Sequence, residues 1–500
     1  MMSFKAIVRK NQYHDSVRLM NISREASSLE GVNRVLALLG TEGNKKILRD
    51  QGFADNSVET STPNDLIICV EADRDKLFEA AVQEVDRLLN EASHASSEQM
   101  AVQSIDEAVQ ELPDATFALV SIPGEFARLE VTDALEKGLN VMLFSDNISI
   151  EDELFLKDLA ISRGLLMMGP DCGTAIINGV PLAFANVIRR GSVGIVGASG
   201  TGIQEVTCLI DRMGGGVSHA IGVGGRDLSE EIGGRMMVSA IKTLARDPST
   251  KSLVLISKPG GPDSTRKVLR EARKTGLSTV VCLLGKGDLP RGGRGLTFVK
   301  SLEEAALAAM GKKSFAEPRS EELTRRISEI PAGRKYLCGL FSGGTLCYEA
   351  LLLMDGRLKV RSNIGSGRKL SEKTAYKGHY CLDLGDDEFT RGRPHPMIDS
   401  TLRQEYLVKA FRDPSTRVIL LDVVLGYGSS ADPAGDMVAA LVEAGKGVAG
   451  DGPIVLAHVC GTEGDPQSME RQEAKLREAG VFLFPTNAEA VRAAMDAFQV

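Results

Sequence analysis

The residues in this sequence best suited to chemistry form a strand-to-helix turn built from small side chains. Val193-Gly194-Ile195-Val196 opens into Gly197-Ala198-Ser199-Gly200-Thr201-Gly202, and a helical pattern begins at Ile203. Such a turn points backbone N–H groups out of the positive end of a helix with no side chain in the way, so it attracts anions. The device recurs where Leu337-Cys338-Gly339-Leu340-Phe341 runs into Ser342-Gly343-Gly344-Thr345. Aligning the two gives Gly-Thr-x-x-x-Glu twice, as Gly200, Thr201, Glu205 and Gly344, Thr345, Glu349. Ser199, Gly200 and Thr201 on one side, with Ser342, Gly343, Gly344 and Thr345 on the other, are the expected phosphate contacts. A lone Gly-rich turn often does no more than pack backbone closely; two in one chain favour a site.

Other candidates lie at strand ends, because open α/β sheets bind ligands at the carboxyl edge of their strands. That rule nominates Asn147, Asp171, Cys172, Gly225 and Arg226 as substrate contacts. Lys258 follows a strand-like run, and Thr390-Arg391-Gly392-Arg393-Pro394-His395 holds two guanidinium groups and an imidazole near prolines. Lys258, Arg391 or Arg393 would neutralise a phosphate or carboxylate through charge-assisted hydrogen bonds. A solvated basic loop offset by Asp386, Asp387 and Glu388 is the equal alternative for the arginines. His395 and His458 are candidate general bases, with a structural role weighing about two to one against each. Cys172 has no base nearby in sequence, so the inert reading is stronger.

These residues need a scaffold, and composition bounds it. Five hundred residues with 43% hydrophobic and 25% charged content suit a globular chain of about three domains. The net charge of −8, with both signs interspersed, leaves no basic stripe for nucleic acid or anionic lipid. The amino terminus lacks the apolar stretch of a signal peptide and no run is long enough to span a membrane, so the cytoplasm is expected. Eight dispersed cysteines without Cys-x-x-Cys, and six dispersed histidines, offer no metal-ligand spacing.

Along the chain, apolar runs alternate with helical patterns. Phe117 to Ser121, Val141 to Ser145 and Leu165 to Met168 are continuous apolar strands, as in a parallel sheet covered on both faces. Arg-Asp-Pro-Ser-Thr occurs at 246–250 and at 412–416, each time before a buried-strand run, which argues for duplicated α/β units. The expected fold class is α/β, with three Rossmann/flavodoxin-like doubly wound units. Their expected limits are an amino-terminal unit over 1–190, a second over 191–313, a linker over 314–334 and a third over 335–500. Residues Glu91 to Asp106 look like a mobile connection.

The stretch from Phe117 through Gly169-Pro170-Asp171-Cys172-Gly173 to Ser199-Gly200-Thr201 resembles the α subunit of succinyl-CoA synthetase and related NDP-forming acyl-CoA synthetases. Ser342 to Thr345 with Leu382-Asp383-Leu384-Gly385 is similar to the carboxy-terminal domain of the β subunit. The resemblance implies two facing helices that hold a phosphate. More specifically, Met142 to Asn147, Gly169 to Thr174, Pro181 to Val187, Gly197 to Glu205 and Gly392 to Asp399 resemble the bacterial FdrA family over nearly the whole chain. Members are acyl-CoA-synthetase-like and are associated with anaerobic allantoin breakdown, as a subunit of oxamate carbamoyltransferase. No ATP-grasp domain fits the length. The loop that carries the synthetase phosphohistidine reads Gly285-Lys286-Gly287-Asp288-Leu289-Pro290, and only Gly40-Thr41-Glu42-Gly43 stands near the place of the CoA loop. The resemblance with these departures implies carbamoyl transfer: oxalurate and phosphate giving oxamate and carbamoyl phosphate, in a hetero-oligomer with other carbamoyltransferase subunits or a homodimer. The expected ligand is phosphate or carbamoyl phosphate, no other cofactor being certain. The alternatives are an acyl-CoA ligase subunit and a non-catalytic scaffold.

Overall fold

The computed structural model describes residues 3–498 apart from 13, 15, 28, 30, 51–52, 54, 73, 95–101, 103, 286–292, 294, 316–320, 366–369, 371–376, 392 and 447–451. The chain divides into two compact units, Met1–Gln103 with Phe389–Pro394, and Ser104–Glu388 with His395–Val500.

In the first unit, strands β1 (Ser3–Arg9), β2 (Val32–Leu39) and β3 (Leu66–Ala72) form an antiparallel sheet in the order β1-β3-β2. Leu19, Ile22 and Ala26 of helix Ser16–Ser27 and Ala81, Val85 and Leu89 of helix Asp75–His94 cover Ile68 and Val70 on one face. Leu48, Phe53 and Val58 cover Ile67 and Cys69 on the other. This corrects the expected Rossmann-like unit over 1–190. The apolar run of β3 reads like a parallel strand because both its faces are buried, but it is buried as the centre of a small antiparallel sheet. Glu91 to His94 complete a helix rather than opening a connection, and Ser104 caps a new helix, Ile105–Glu111. Much of the rest of that expected connection, 95–101 and 103, lies outside the described residues.

The second unit has the expected α/β architecture. A short parallel sheet is ordered β4 (Phe117–Val120), β5 (Asn140–Leu143), β6 (Met167–Met168). The central sheet contains β7 (Thr174–Ile177), β8 (Val180–Ala183), β9 (Arg190–Gly197), β10 (Val217–Gly222), β11 (Ser252–Ser257), β12 (Ser278–Leu283) and β13 (Leu296–Val299). Its order is β13-β12-β11-β9-β10-β7-β8, parallel from β13 to β10. The last sheet contains β14 (Tyr336–Phe341), β15 (Arg361–Ser362), β16 (Tyr380–Asp383), β17 (Thr416–Val424), β18 (Ile454–Cys460) and β19 (Phe482–Phe484). It is parallel, in the order β15-β16-β14-β17-β18-β19. Most of the expected linker is described: a helix spans Glu321–Glu329, and Leu323 packs into the core.

Two details bring the halves of this unit together. The helices Gly200–Arg212 and Gly344–Met354, which follow β9 and β14, share one hydrophobic core through Ile203, Val206, Ile210, Leu346, Cys347 and Ala350. The segment after β8 is also gripped from the far half. Asn186 Nδ2 donates to Asp465 Oδ2 at 2.8 Å, Val187 N to Asp465 Oδ1 at 2.7 Å, and Thr462 Oγ1 to Val187 O at 2.8 Å.

Candidate functional site

Both Gly-Thr turns are real helix starts, and they touch. Ser199, in extended backbone, caps its own helix by accepting from Gly202 N at 3.0 Å. Its hydroxyl also shares a 2.6 Å hydrogen bond with Thr345 Oγ1, and Thr345 N donates to Thr201 Oγ1 at 3.3 Å. The glycines are needed for close approach: a Cβ on Gly200 would lie 3.0 Å from Thr174 Oγ1, and one on Gly344 would lie 2.5 Å from Asp383 Oδ2. The amides of Gly200 and Thr201 meet no acceptor among the described residues, so the first start keeps the N–H donors that an anion would use.

At the second start the Gly344 amide is likewise without an acceptor among the described residues, but the two amides before it are taken. Asp422, fully buried in β17, accepts from Ser342 N at 2.9 Å and from Gly343 N at 2.7 Å. Arg403 closes the pair, donating to Asp422 Oδ1 at 2.7 Å and to Leu340 O at 2.8 Å. Burial lowers the pKa of that guanidinium against the pull of Asp422. The expectation that Ser342 and Gly343 offer amides to a phosphate is therefore corrected: a carboxylate of the chain already holds them. Thr345 makes the contact to the other turn instead.

Around this pair of turns lies a group of carboxylates that sequence reasoning placed only in part. Asp383 at the end of β16 is pushed up to about 7 by burial, against the opposing charge of Lys258. Asp171 reaches about 6, first through partial desolvation and then through Asp146 and Asp387, with Lys258 and Arg226 pulling the other way. Its side chain is nevertheless open to solvent, and Oδ2 lies 3.7 Å from where a Cβ on Gly225 would be. Lys258 is exposed at the end of β11, with Nζ 5.9 Å from the ring centroid of Tyr348 on the second helix. Lys258 thus lies against the second helix, and Asp171 lies beside Gly225. Asp383 and Asp422 stood at expected strand ends but were not assigned to the site, the signal for them being an acidic residue inside or ending an apolar run.

The other candidates fall elsewhere. Arg226 contacts Glu153 at 2.9 Å and donates to Ile148 O at 2.9 Å, beside the fully buried Lys157, which bonds Glu153 and Asp227. Its exposed side chain thus reaches from the surface to the edge of a buried ion cluster. Cys172 is corrected too: it is buried, its thiol is pushed up to about 12, and Sγ would abut a Cβ on Gly222 at 2.7 Å. Asn147 is exposed in left-handed backbone, φ 54°, after β5. His395 is driven down to about 4 by burial, and its Nδ1 accepts from Met397 N at 3.2 Å. That bond assigns the ring proton to Nε2, and the neutral ring backs Gly385 rather than serving as a base tuned near pH 7. Arg391 and Arg393 are exposed and fall in the first compact unit. Residues 286–290 of the loop at the phosphohistidine position lie outside the described residues.

Comparison with known proteins finds matches along most of the chain. Residues 340–497 match the CoA-ligase family, 188–284 the CoA binding domain, and 2–105 the family described as AllF, heavy metal-associated domain. The last description implies a metal, which the residues do not fit. Cys69 is the sole cysteine of the matched segment, buried in β3 with its thiol pushed up to about 12, and no three ligating side chains gather among the described residues. A protein of Escherichia coli (strain K12), "Uncharacterized protein YahF", is 44% identical over 494 residues, covering 96% of both chains. The "Succinate--CoA ligase [ADP-forming] subunit alpha 2" of Archaeoglobus fulgidus is 30% identical over 45% of this chain and 80% of its own. The "ADP-forming sulfoacetate-CoA ligase subunit SauD" of Bilophila wadsworthia is 26% identical over 47% and 81%. Among solved structures, the dinucleotide-forming acetyl-coenzyme A synthetase 1 of Ca. Korarchaeum cryptofilum covers 77% of this chain and 82% of its own at 16% identity and a TM-score of 0.29. Full-length identity to YahF, together with the match to succinate-CoA ligase α subunits, places this chain in the FdrA family of acyl-CoA-synthetase-like proteins.

Proposed function

We propose that this chain performs phosphate-dependent acyl transfer as an acyl-CoA-synthetase-like subunit, with phosphate held at the Gly200 turn. The observation that carries this is the helix start with unoccupied amides at Gly200 and Thr201, closed by the Ser199–Thr345 hydrogen bond and with Lys258 at the end of a neighbouring strand. When an acyl phosphate is attacked at its carbonyl carbon, the C–O bond to phosphate breaks and the electron pair leaves with the phosphate. Fixed N–H dipoles and a lysine oppose that growing charge without reorganising. In the reverse direction the same groups hold phosphate as the nucleophile. Coenzyme A is the acceptor favoured by the CoA-ligase and CoA binding domain matches. A separate nucleotide-using chain would then supply the acyl phosphate.

The second reading is the carbamoyl transfer expected for an FdrA-type subunit of oxamate carbamoyltransferase, acting with partner chains. What favours it is the acceptor side of the site, where the Asp383 carboxylate stands at the other helix start. Calorimetric titration of the full chain with inorganic phosphate, CoA and carbamoyl phosphate tests both readings. Phosphate should bind, and Gly200→Val should weaken it by about ten-fold or more by covering the amides. Binding of CoA selects the ligase reading; binding of carbamoyl phosphate without CoA selects carbamoyl transfer. No phosphate binding at all would end both.

A further inference from the structure

The three-stranded sheet β4-β5-β6 ends in an open edge. Among the described residues β5 is the sole strand partner of β4, in a parallel register that runs from Phe117–Asn140 to Val120–Leu143. The carbonyls of Thr116 and Val120 accept from Asn140 N at 3.0 Å and from Phe144 N at 2.9 Å, so by alternation the N–H and C=O of Phe117 and Leu119 point away from β5. Such an edge is a template for one more strand. Apolar side chains border it on both faces. Val120 shares a core with Ala127 and Val131 of helix Gly124–Glu136, and Leu119, turned to the opposite face, is 49% exposed. Phe126 of the same helix is 47% exposed. Arg128 reaches Asp152 of helix Ile150–Ser162 at 2.6 Å, which marks the inward flank of helix Gly124–Glu136. Phe126 and Glu130 lie on the other flank, in line with Lys137, which pairs with Asp106 of helix Ile105–Glu111.

Charge sets what can cover this edge. Residues 104–137 hold eight acidic side chains against two basic ones, a net −6 out of the chain's −8. Both bases are spent on ion pairs, Arg128 with Asp152 and Lys137 with Asp106. Glu111, Asp114, Glu125 and Glu130 are exposed and make no ion pair among the described residues. A second copy pairing on the same edge would bring these acids face to face across a two-fold axis. The rim that opposes self-association therefore selects a basic partner. We propose that β4 is a docking edge for a separate protein chain, which adds one extended strand to the sheet. The side chains of that strand alternate between apolar residues packed against Leu119 and Lys or Arg turned toward the acidic helix face, while its backbone exchanges hydrogen bonds with Phe117 and Leu119. The proposal is independent of what the Gly200 turn holds.

The probe is a short, blocked, fluorescent peptide of alternating Val and Lys, titrated into the full chain and read by anisotropy, with an alternating Val and Glu peptide as control. The basic peptide should bind, the acidic one should bind about ten-fold or more weakly, and raising salt from about 50 mM to about 500 mM should weaken the basic one. Hydrogen exchange at Phe117 and Leu119 should slow in the bound state. Leu119→Pro deletes an outward N–H and spares the β5 ladder, because edge strands accept proline at such positions. It should lower affinity by about ten-fold or more while the thermal midpoint stays near that of wild type. Glu130→Lys should weaken the basic peptide and strengthen the acidic one, a reversal that a folding defect does not produce. The proposal fails if the basic peptide does not bind, if the two peptides bind equally, if exchange over 117–120 is unaltered by binding, or if both variants keep wild-type affinity. It fails too if the chain alone sediments as a dimer that Leu119→Pro dissociates, since the edge then belongs to a second copy.

Discussion

Glu205 and Glu349 occupy the same place in the repeated Gly-Thr-x-x-x-Glu pattern, yet their surroundings drive them apart. Both are buried. Burial pushes Glu205 up, but His458 Nε2 at 2.7 Å outweighs it and leaves the carboxyl below its ordinary range. Glu349 has only N–H partners, Asn487 Nδ2 at 2.8 Å and Leu302 N at 2.6 Å, and burial carries it to about 7. Removing His458 leaves a buried carboxylate unpaired, so His458→Ala should cost about 3–5 kcal/mol of stability in chemical denaturation. For Glu349 the folded chain keeps a proton that the unfolded chain has already lost. Its contribution to stability is therefore complete below the ordinary carboxylate range and disappears as pH rises through about 7. Glu349→Gln should flatten the fall in thermal midpoint between about pH 5 and about pH 8, measured by calorimetry. The repeat made both glutamates visible in the sequence. Their partners were not visible, because His458 lies 253 residues from Glu205 and only the packed sheets bring them together.

At the scale of elements, strand order decides which side chains flank a turn. Because β14 lies between β16 and β17, residues far apart in sequence become the walls of the Gly344 start. Apolar runs disclose that strands exist, but burial on both faces does not fix their direction, as the antiparallel β3 shows. Adjacency has no such local signature, which is why Asp383 and Asp422 could be placed at strand ends but not beside the turn. The same limit hid the cluster under helix Arg235–Arg246. There Asp227 accepts from Met236 N at 3.1 Å and Met237 N at 2.9 Å, and pairs with Lys157 at 2.7 Å. All of Lys157, Glu153 and Asp227 are buried. Asp227→Ala should remove both the cap and half of the lysine's charge compensation, lowering stability by about 3–5 kcal/mol. The double change Asp227→Asn with Lys157→Met should recover much of it. Denaturant titration of the single and double variants measures that coupling.

For the whole molecule, the sequence marked the two α/β halves from 191 onward more clearly than the first hundred residues. In the amino-terminal unit the period of the apolar residues was correct, but the direction in which strands pair depends on how a crossover packs, and β3 inserted between β1 and β2. In the carboxy-terminal halves, repeated landmarks supplied what periodicity alone lacks. The resulting contact, Ser199 to Thr345, joins two turns carried by a single polypeptide. Two such turns on separate subunits would have to find each other again each time those subunits parted. Here tethering holds the two turns together at any protein concentration. Phosphate affinity should then be unchanged on diluting the chain a hundred-fold or so, as read by labelled-phosphate filtration. Tethering also frees evolution from keeping the halves interchangeable: once they cannot exchange partners, one can specialise for the anion while the other acquires carboxylates, and neither change has to be tolerated in a mispaired assembly.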